Sequence, residues 1–351
     1  MKKIALVMGH FGPKSGGVLS SVINLIDFLG KSYKIHVFAG RDKFKIPYKI
    51  LINRNITFTF FSIKHKGFFK IPEYNLDSKN FNDFDIIWFH GAYMSWNKIA
   101  KNINTKYIYT PHGGFSNLLN VDFLRLLRRF FLFFSEYYLI KNAQFIQALS
   151  KSEKNFLQLI NPNTKEIPNY IFKKKKIIYK KKNKNFCYIG RLDPQKNIPF
   201  LIKIIETTNI KIDFYGYFTK SSTTYEKNYI KTKKEFSKNF YGSYTGERQL
   251  SKILQKYNFM ILPSKWEGMP IVIFEAIENG VTPIISDNIT VPNFLKNFVI
   301  RIDTSNFKSS IKLINYLNST CPKKYSKFSI NAINACKKKL NGSMYKVILN
   351  I

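Results

Sequence analysis

The fold of the second half of the chain follows from residues 264–287, which read SKWEGMPIVIFEAIENGVTPIISD. A turn and a helical pattern ended by Gly280 lie between apolar runs, which predicts a β-loop-α-β unit. Pro270 is expected at the first helical position, where its missing N–H costs nothing and its fixed φ is already helical. The predicted parts are a strand at 259–262, a turn at 263–268, a helix at 271–279 and a strand at 283–286.

The loop of this unit is expected to present a helix N-terminus, which suits a diphosphate because its N–H groups are free and the macrodipole is positive there. Glu267 lies just outside the helix and Glu275 in its early turns. Carboxylates repel a phosphate unless they face other groups, such as the hydroxyls of a sugar and a ribose. We therefore expect Glu267 to bind a sugar and Glu275 a ribose. The alternative is that Glu267 caps the helix and Glu275 is solvated.

Residues 267–276, EGMPIVIFEA, resemble the E-G-F-x-x-x-x-x-E-A motif of retaining GT-B glycosyltransferases of the GT4 type. In that family the first Glu contacts the donor sugar, the second contacts the ribose of the nucleotide, and backbone amides between them bind the sugar and the diphosphate. Met269 replaces the usual Phe, and Pro270 has no amide to offer. The resemblance implies a catalytic role for Glu267 and donor binding by Gly268, Met269, Ile271, Val272 and Glu275.

A second motif, GRLDPQKN at residues 190–197, follows a predicted strand at 186–189 and matches the G-R-x-x-x-x-K-N motif of the same family without a gap. Arg191 offers a planar fork for phosphate oxygens, and Lys196 adds a point charge. Alone, such a basic pair in a loop is usually solvated surface. Because the family motif is complete, we expect both side chains to bind the donor and to neutralise the departing diphosphate.

The N-terminal loop at residues 9–17, GHFGPKSGG, joins a predicted strand at 4–8 to an amphipathic helix at 18–29. Its glycine spacing does not match the dinucleotide fingerprint G-x-G-x-x-G. It resembles the N-terminal loop of the GT4 family, whose paired glycines lie near the acceptor and the donor phosphate. This resemblance implies donor binding by Gly16 and Gly17.

Two histidines follow predicted strands, His90 after 86–89 and His112 after 107–109. Strands that alternate with helical segments predict a parallel sheet, whose ligands bind beyond the carboxyl ends of the strands. An imidazole can donate to or accept from a sugar hydroxyl near neutral pH. GT4 members carry a similar His-Gly pair facing the acceptor cleft, which implies a catalytic role for His112 and a weaker one for His90. The alternative is a histidine bonded within its own turn.

The chain of 351 residues is long for one domain, so two domains are expected. The resemblance covers essentially the whole chain and implies an α/β GT-B fold, in which two Rossmann-like, doubly wound parallel-sheet domains face each other across a cleft. The predicted boundaries are an acceptor-binding domain at 1–170, a basic linker at 171–184, a nucleotide-sugar-binding domain at 185–328 and a C-terminal helix at 329–351 that crosses back to the first domain.

The formal net charge of +36, from 57 Lys and Arg against 21 Asp and Glu, favours anionic partners such as nucleic acid, anionic lipid or phosphorylated substrates. A coding bias toward AT-rich codons explains part of this charge, because the lysines are spread over the whole length. Residues 123–140 carry too many charges to span a bilayer, yet are aromatic and basic enough to lie on an anionic membrane surface. The alternative is a helix that covers the domain core or lines the interdomain cleft.

Asp83-Phe84-Asp85 matches the D-x-D pattern of metal-dependent glycosyltransferases but precedes a strand, so we interpret it as turn chemistry. The 3 cysteines are far apart, without a metal-binding or disulfide pattern, which fits a reducing cytosol. We expect neither a cofactor nor a metal.

These motifs predict a retaining glycosyltransferase that moves a sugar from a nucleoside diphosphate sugar to a saccharide or lipid-linked acceptor. The expected setting is cell-surface polysaccharide or lipopolysaccharide synthesis in the cytoplasm, peripheral to the inner face of the membrane, without a specific nucleic acid as partner. One alternative is a nucleotide-sugar 2-epimerase, which needs no acceptor. The other is a non-catalytic basic protein that binds nucleic acid or membranes. That alternative does not explain why both sequence motifs occur in one chain.

Overall fold

A computed structural model of the chain divides into two compact units, residues 1–171 with 342–351 (the N-terminal unit) and residues 172–341 (the C-terminal unit). Residues 170–183 of the predicted linker region and Pro13 and Lys14 of the N-terminal loop lie outside the described residues. The structure describes residues 1–12, 15–41, 50, 52–66, 71–116, 123–169, 184–219, 227–228, 230–231, 233–244, 246–320 and 323–349.

The N-terminal unit has these strands: β1 (Lys3–Phe11), β2 (Lys34–Arg41), β3 (Ile56–Phe61), β4 (Ile63–Lys66), β5 (Ile71–Tyr74), β6 (Ile86–His90), β7 (Tyr107–Thr110), β8 (Phe145–Ala148) and β9 (Thr164–Glu166). Seven of them form one sheet in the order β3-β2-β1-β6-β7-β8-β9, in which all neighbouring strands are parallel. The antiparallel pair β4–β5 has no counterpart in the sequence prediction. The helices are α1 (Gly17–Leu29), α2 (Asn97–Ala100), α3 (Phe123–Asn142) and α4 (Lys151–Gln158).

The C-terminal unit has the strands β10 (Lys184–Ile189), β11 (Ile212–Tyr215), β12 (Tyr257–Leu262), β13 (Thr282–Ser286) and β14 (Ile300–Ile302). They form a parallel sheet in the order β11-β10-β12-β13-β14. Its helices are α5 (Ile198–Thr208), α6 (Lys234–Asn239), α7 (Gly246–Leu254), α8 (Ile271–Glu278), α9 (Phe307–Ser319) and α10 (Lys323–Lys339). The predicted fold class, two Rossmann-like parallel-sheet domains, is confirmed.

Alternate residues of β1 supply the two faces of the N-terminal sheet. Ile4, Leu6 and Met8 belong to one buried cluster together with side chains of α1. Ala5 and Val7 belong to a second cluster together with side chains of α3. Because successive side chains of a strand point to opposite faces, a strand covered on both sides is apolar throughout. This double cover explains why β1 is a continuous apolar run in the sequence.

The β-loop-α-β unit predicted from the opening stretch is present as β12, α8 and β13. One detail of the prediction is wrong, because Pro270 lies just before the helix and not at its first position. Its φ of −71° and ψ of 116° are extended, and α8 begins at Ile271. The residue that precedes a helix usually has extended backbone, and proline fits that conformation as well as a helical one.

The predicted C-terminal helix at 329–351 is divided in the structure. Helix α10 belongs to the C-terminal unit, and after a break at residues 340–342 a short helix, α11 (Ser343–Leu349), belongs to the N-terminal unit. Tyr345 fixes α11 there, because its hydroxyl donates to the carbonyl oxygen of Pro168 at 3.2 Å. Gly342 makes the break with a left-handed φ of 83°.

Two pairs of glycines let neighbouring strand ends approach closely. A Cβ built on Gly40 would overlap the carbonyl oxygen of Gly9, and a Cβ built on Gly216 would overlap the carbonyl oxygen of Gly190. Each pair lies near the carboxyl ends of two adjacent strands, where no side chain would fit. These glycines therefore let adjacent strands approach closely in each unit, at the edge where ligands of such sheets bind.

We predict that Gly216→Ala destabilises the C-terminal unit by about 1–3 kcal/mol, because the added methyl group meets a backbone carbonyl that cannot move freely. Gly242→Ala is the control, since Gly242 has a left-handed φ of 73° but open space around its Cα. Thermal unfolding of both variants checks the prediction. Equal losses would show that backbone conformation and not the overlap sets the cost.

Candidate functional site

The two sequence motifs of the C-terminal unit meet at the carboxyl edge of its sheet. The loop after β10 and the loop after β12 are joined by a backbone hydrogen bond from Lys265 N to Gln195 O at 2.8 Å. The side chain of Gln195 adds a second link, because its amide donates to the carbonyl oxygen of Trp266 at 2.9 Å. The motifs at 190–197 and 267–276, which are far apart in sequence, therefore form one site.

Lys196 and Glu267 form an ion pair in this site, and each side chain is only 10% exposed. Ser264 Oγ donates to the same carboxylate oxygen of Glu267 at 2.8 Å. Lys196 is held in place from its own loop, because Asp193 Oδ1 accepts from Lys196 N at 3.2 Å and so caps the short helix that Lys196 ends. The Lys196 ammonium, which we expect to bind the diphosphate, thus neutralises the Glu267 carboxylate, which we expect to bind the sugar.

Arg191 lies in the same loop but is more open to solvent, with 41% of its side chain exposed. Its guanidinium is 3.3 Å from the buried carboxylate of Asp193. A guanidinium has five N–H donors, so this contact leaves others for an incoming anion. The Asp193 carboxylate therefore orients Arg191 without consuming its capacity to bind phosphate oxygens.

The N-terminus of α8 is not capped by any side chain. The alternative in which Glu267 caps this helix is therefore wrong. Pro270 precedes the helix, so Ile271 and Val272 contribute the first backbone N–H groups. Such groups point away from the helix and carry partial positive charge, which suits an anion. Gly268 is partly exposed in the loop before them, whereas Met269 is buried.

Glu275 lies one turn further along α8 and is partly exposed. Tyr244 lies within electrostatic range of Glu275, since burial and, second, the Glu275 charge raise the pKa of the Tyr244 hydroxyl. The sequence prediction did not identify Tyr244, since nothing in the pattern around Gly242 marks one residue above its neighbours. The structure therefore adds Tyr244 to the groups around the predicted ribose contact.

His112 and His90 are joined in the N-terminal unit. His90 Nδ1 is 2.9 Å from His112 Nε2, and Asn169 Nδ2 is 3.3 Å from His112 Nδ1. With the Asn169 amide as donor to Nδ1, the His112 proton lies on Nε2 and is donated to His90. Burial lowers the pKa of His112 to about 3 and that of His90 well below its usual range, so both rings are neutral at neutral pH.

Both ring nitrogens of His112 are thus engaged by protein groups in this conformation. The predicted catalytic role of His112 would require one of these two hydrogen bonds to break, and it stays a prediction. Asn169 is the partner that sequence reasoning missed, because it is far from both histidines in the sequence. Ser21 of α1 also holds this segment, because its hydroxyl donates to Asn169 O at 2.9 Å.

The glycines predicted to bind the donor lie at the start of α1. Gly16 precedes the helix with φ of 51° and ψ of −127°, and Gly17 is its first residue. No side chain caps this helix. A left-handed φ with open space around the Cα suits glycine, so the position is set by backbone conformation. Their contact with a donor stays a prediction.

Two carboxylates that the sequence prediction did not single out are fully buried near the histidines, Glu136 of α3 and Glu153 of α4. Burial raises the pKa of each to about 7, against hydrogen bonds that lower it. Ser150 caps α4, accepting from Glu153 N at 3.2 Å. The Glu153 carboxylate accepts from Leu149 N at 2.9 Å.

The D-x-D pattern lies at the opposite edge of the sheet. Asp85 Oδ2 accepts a hydrogen bond from Lys3 N at 2.7 Å, at the amino ends of β6 and β1. Over the part of the chain that the structure describes, no group of three or more His, Cys, Asp or Glu residues could hold a metal ion.

Both units match models of glycosyltransferase families. Residues 15–171 match Glycosyltransferase Family 4, and residues 170–335 match Glycosyl transferases group 1. Two parallel-sheet units with these motifs define a GT-B glycosyltransferase. The chain belongs to the GT4-type family and is a transferase enzyme.

The chain is also similar to individual proteins. An uncharacterized glycosyltransferase of Haemophilus influenzae is 27% identical over 313 residues, which cover 82% of this chain and 81% of that protein. The UDP-Gal:alpha-D-GlcNAc-diphosphoundecaprenol alpha-1,3-galactosyltransferase of Escherichia coli is 28% identical over 183 residues, covering 47% of this chain and 46% of that protein. The structure of Anabaena HepE in complex with UDP and glucose has a TM-score of 0.72 at 14% identity and covers 100% of both chains.

We predict that Arg191→Met lowers kcat/KM for sugar transfer about 100-fold, because a cation aimed at the leaving group stabilises the charge that develops there. Lys196→Met should act in the same direction and also lower the melting temperature, since it leaves Glu267 buried without its partner. Lys203→Met is the control, because Lys203 is an exposed lysine of the neighbouring α5. Unchanged turnover in Arg191→Met and Lys196→Met would contradict the assignment.

Proposed function

We propose that the protein is a retaining glycosyltransferase that uses a nucleoside diphosphate sugar as donor. The observation that carries the proposal is the Lys196–Glu267 pair beside the uncapped N-terminus of α8. An arriving diphosphate finds an ammonium, a guanidinium and free N–H groups in one place. Its sugar and ribose then provide hydroxyl groups for Glu267 and Glu275.

The proposed step breaks the bond between the anomeric carbon and the diphosphate through an oxocarbenium-like state. Negative charge develops on the leaving diphosphate, where Arg191, Lys196 and the α8 N-terminus stabilise it. The diphosphate draws Lys196 away from Glu267, which frees the carboxylate to accept hydrogen bonds from the sugar. The acceptor hydroxyl attacks from the face that the diphosphate leaves and loses its proton to that group, so the anomeric configuration is retained.

For the substrates we propose a UDP-sugar and a saccharide or lipid-linked saccharide, in cell-surface polysaccharide or lipopolysaccharide synthesis at the cytoplasmic face of the inner membrane. The names of the E. coli relative and of the Anabaena complex include a UDP-sugar and UDP, respectively, and support this class of donor. The E. coli name also contains a lipid-linked saccharide, which supports this class of acceptor.

We predict transfer from UDP-galactose or UDP-glucose to a short-chain alkyl diphosphate N-acetylglucosamine, with an α-linked product by NMR because both donors are α-linked. A thermal-shift screen of UDP-, GDP- and ADP-sugars selects the donor, since a ligand that binds only the folded state raises the melting temperature. An inverted product would contradict retention. Conversion of the donor alone to its 2-epimer would favour the epimerase, and absence of nucleotide binding would contradict the proposal as a whole.

Helix α3 supports contact with a membrane surface. Its outer face has five large aromatic side chains at helical spacing, with exposures of 63% at Phe130, 47% at Phe131, 60% at Phe134, 43% at Tyr137 and 37% at Tyr138. Aromatic side chains exposed in a stripe are typical of interfacial helices, and basic groups beside them would attract anionic lipid.

Two lysines lie close to this aromatic stripe. Lys101 Nζ is 5.7 Å from the ring centre of Tyr138, and Lys141 is exposed near the end of α3. The side chains of residues 123–129, on which the predicted basic character partly depends, lie outside the described part of the chain. Throughout the described residues, no helix is both long and apolar enough to cross a bilayer.

We predict that the variant F130S/F134S/Y137S binds vesicles with anionic lipid at least tenfold more weakly than the unaltered protein, because three aromatic rings no longer enter the interface. The control is F60S/Y316S, which removes two aromatics that are 40% and 51% exposed elsewhere. Vesicle sedimentation measures the binding. Equal binding of the unaltered protein to neutral vesicles would show that lipid charge does not contribute. A dimer that only F130S/F134S/Y137S converts to monomer would show that the stripe binds a second copy of the chain.

A further inference from the structure

Two loops follow adjacent strands at the carboxyl edge of the N-terminal sheet, the β6 loop (residues 91–96) and the β7 loop (residues 111–116). Ligands of a parallel sheet bind at this edge. The Tyr93 hydroxyl in the β6 loop donates to the carbonyl oxygen of Gly114 in the β7 loop at 3.0 Å. The two loops therefore form one connected surface.

The backbone of these loops is held in an unfavourable conformation. Three residues with a side chain have left-handed φ angles, 62° at Tyr93, 54° at Ser95 and 56° at His112. Such angles persist only where surrounding contacts enforce them. The question is which groups supply those contacts.

Glu136 supplies them for the β6 loop. Its carboxylate accepts hydrogen bonds from the backbone N–H groups of Tyr93, Met94 and Ser95, that is, from three successive residues. The hydroxyl of Tyr109 on β7 donates to the other side of the same carboxylate at 2.7 Å. The Glu136 side chain is 0% exposed. One carboxylate thus determines the path of the loop and links it to α3.

Glu153 does the same for the β7 loop. Its carboxylate accepts from Phe115 N at 3.3 Å, from Leu149 N at 2.9 Å and from the N–H of Gly113. It is also 0% exposed. Two successive loops at the ligand-binding edge are therefore held by carboxylates that reach them from two different helices.

Among the described residues, no cation contributes to lowering the pKa of either carboxyl. Only hydrogen-bond donors oppose the increase in pKa that burial causes. The other titratable groups facing them are tyrosines. Burial and then Glu136 raise the pKa of both Tyr109 and Tyr74, and Glu153 adds to the effect on Tyr109. An apolar side chain at either position would avoid the cost of burying a charge. The carboxylates therefore have a role that packing alone does not provide.

We propose that Glu136 and Glu153 are positioning residues for the acceptor substrate, which fix the β6 and β7 loops in the shape that receives the acceptor. This inference rests on the proposed function, in which the N-terminal unit binds the acceptor. Glu136 also links the β6 loop to α3, whose outer face carries the aromatic stripe. The acceptor surface and the proposed membrane contact are thereby fixed to the same helix.

Hydrogen exchange tests the structural part of this inference. In Glu136→Gln, the amides of residues 93–95 should exchange at least tenfold faster, because one acceptor oxygen of a charged group is replaced by a donor. Glu153→Gln should have the same effect on residues 113 and 115 and leave residues 93–95 unchanged. Glu73→Gln is the control, since Glu73 lies in the same unit but pairs with Lys66 and Lys98 at the surface.

Steady-state kinetics tests the functional part. With UDP-galactose and the short-chain alkyl diphosphate N-acetylglucosamine, both variants should raise the KM for the acceptor about tenfold, the effect expected for losing a hydrogen bond to a charged group. The KM for the donor and the rate of donor hydrolysis by water should change less than about twofold, because Arg191, Lys196, Glu267 and Glu275 lie in the other unit. Tyr109→Phe removes only the hydroxyl that contacts Glu136 and should also raise the KM for the acceptor. This variant tests the role of Glu136 if Glu136→Gln fails to fold.

Two outcomes would overturn the inference. One is unchanged exchange in the loops of both Glu variants, and the other is faster exchange with an unchanged acceptor KM. A parallel rise of both KM values would indicate general loosening and would also count against it. If the unaltered protein binds UDP but transfers no sugar, the proposed function fails by itself, and the exchange experiment still decides whether the carboxylates hold the loops.

Discussion

Backbone N–H groups at the carboxyl edge of a parallel sheet need acceptors, and both units depend on how this need is met. In the N-terminal unit, the carboxylates of Glu136 and Glu153 accept N–H groups from the loops after β6 and β7. In the C-terminal unit, the N-terminus of α8 has no capping side chain. The loops after β6 and β7 thus find acceptors within the protein, whereas the N-terminus of α8 presents donors that favour an anion.

The Lys196–Glu267 pair keeps the second edge stable before the donor arrives. Two buried charges of opposite sign cost less together than either would alone, and Ser264 supplies a further hydrogen bond. In the proposed function, the diphosphate is a stronger partner for the lysine, and the sugar gives the glutamate hydroxyl donors. Binding of the donor would then exchange one set of satisfied contacts for another, and neither charge would be left without a partner.

Most of the parallel strands could be predicted, because β1, β12 and others like them are apolar runs bounded by turn residues. The end of β1 was predicted wrongly, since this strand runs to Phe11 and so includes the start of the predicted loop at 9–17. The sequence also indicated the site at 190–197 and 267–276, since local motifs carry it. Glu136 and Asn169 could not be identified, because their partners are backbone groups or side chains far away in sequence. The prediction assigned Pro270 to the first helical position, whereas it is the extended residue before α8. Its φ is compatible with both positions.

The high pKa values of Glu136 and Glu153 couple folding of the N-terminal unit to proton uptake. An unfolded glutamate ionises near its ordinary pKa of 4.5, whereas burial raises the pKa of these two carboxyls to about 7 in the folded state. Between these values the folded state binds more protons, so their contribution to stability falls as the pH rises. Mild acid therefore does not weaken the contribution of these two carboxyls, in contrast to that of carboxylates paired with lysines, such as Glu73.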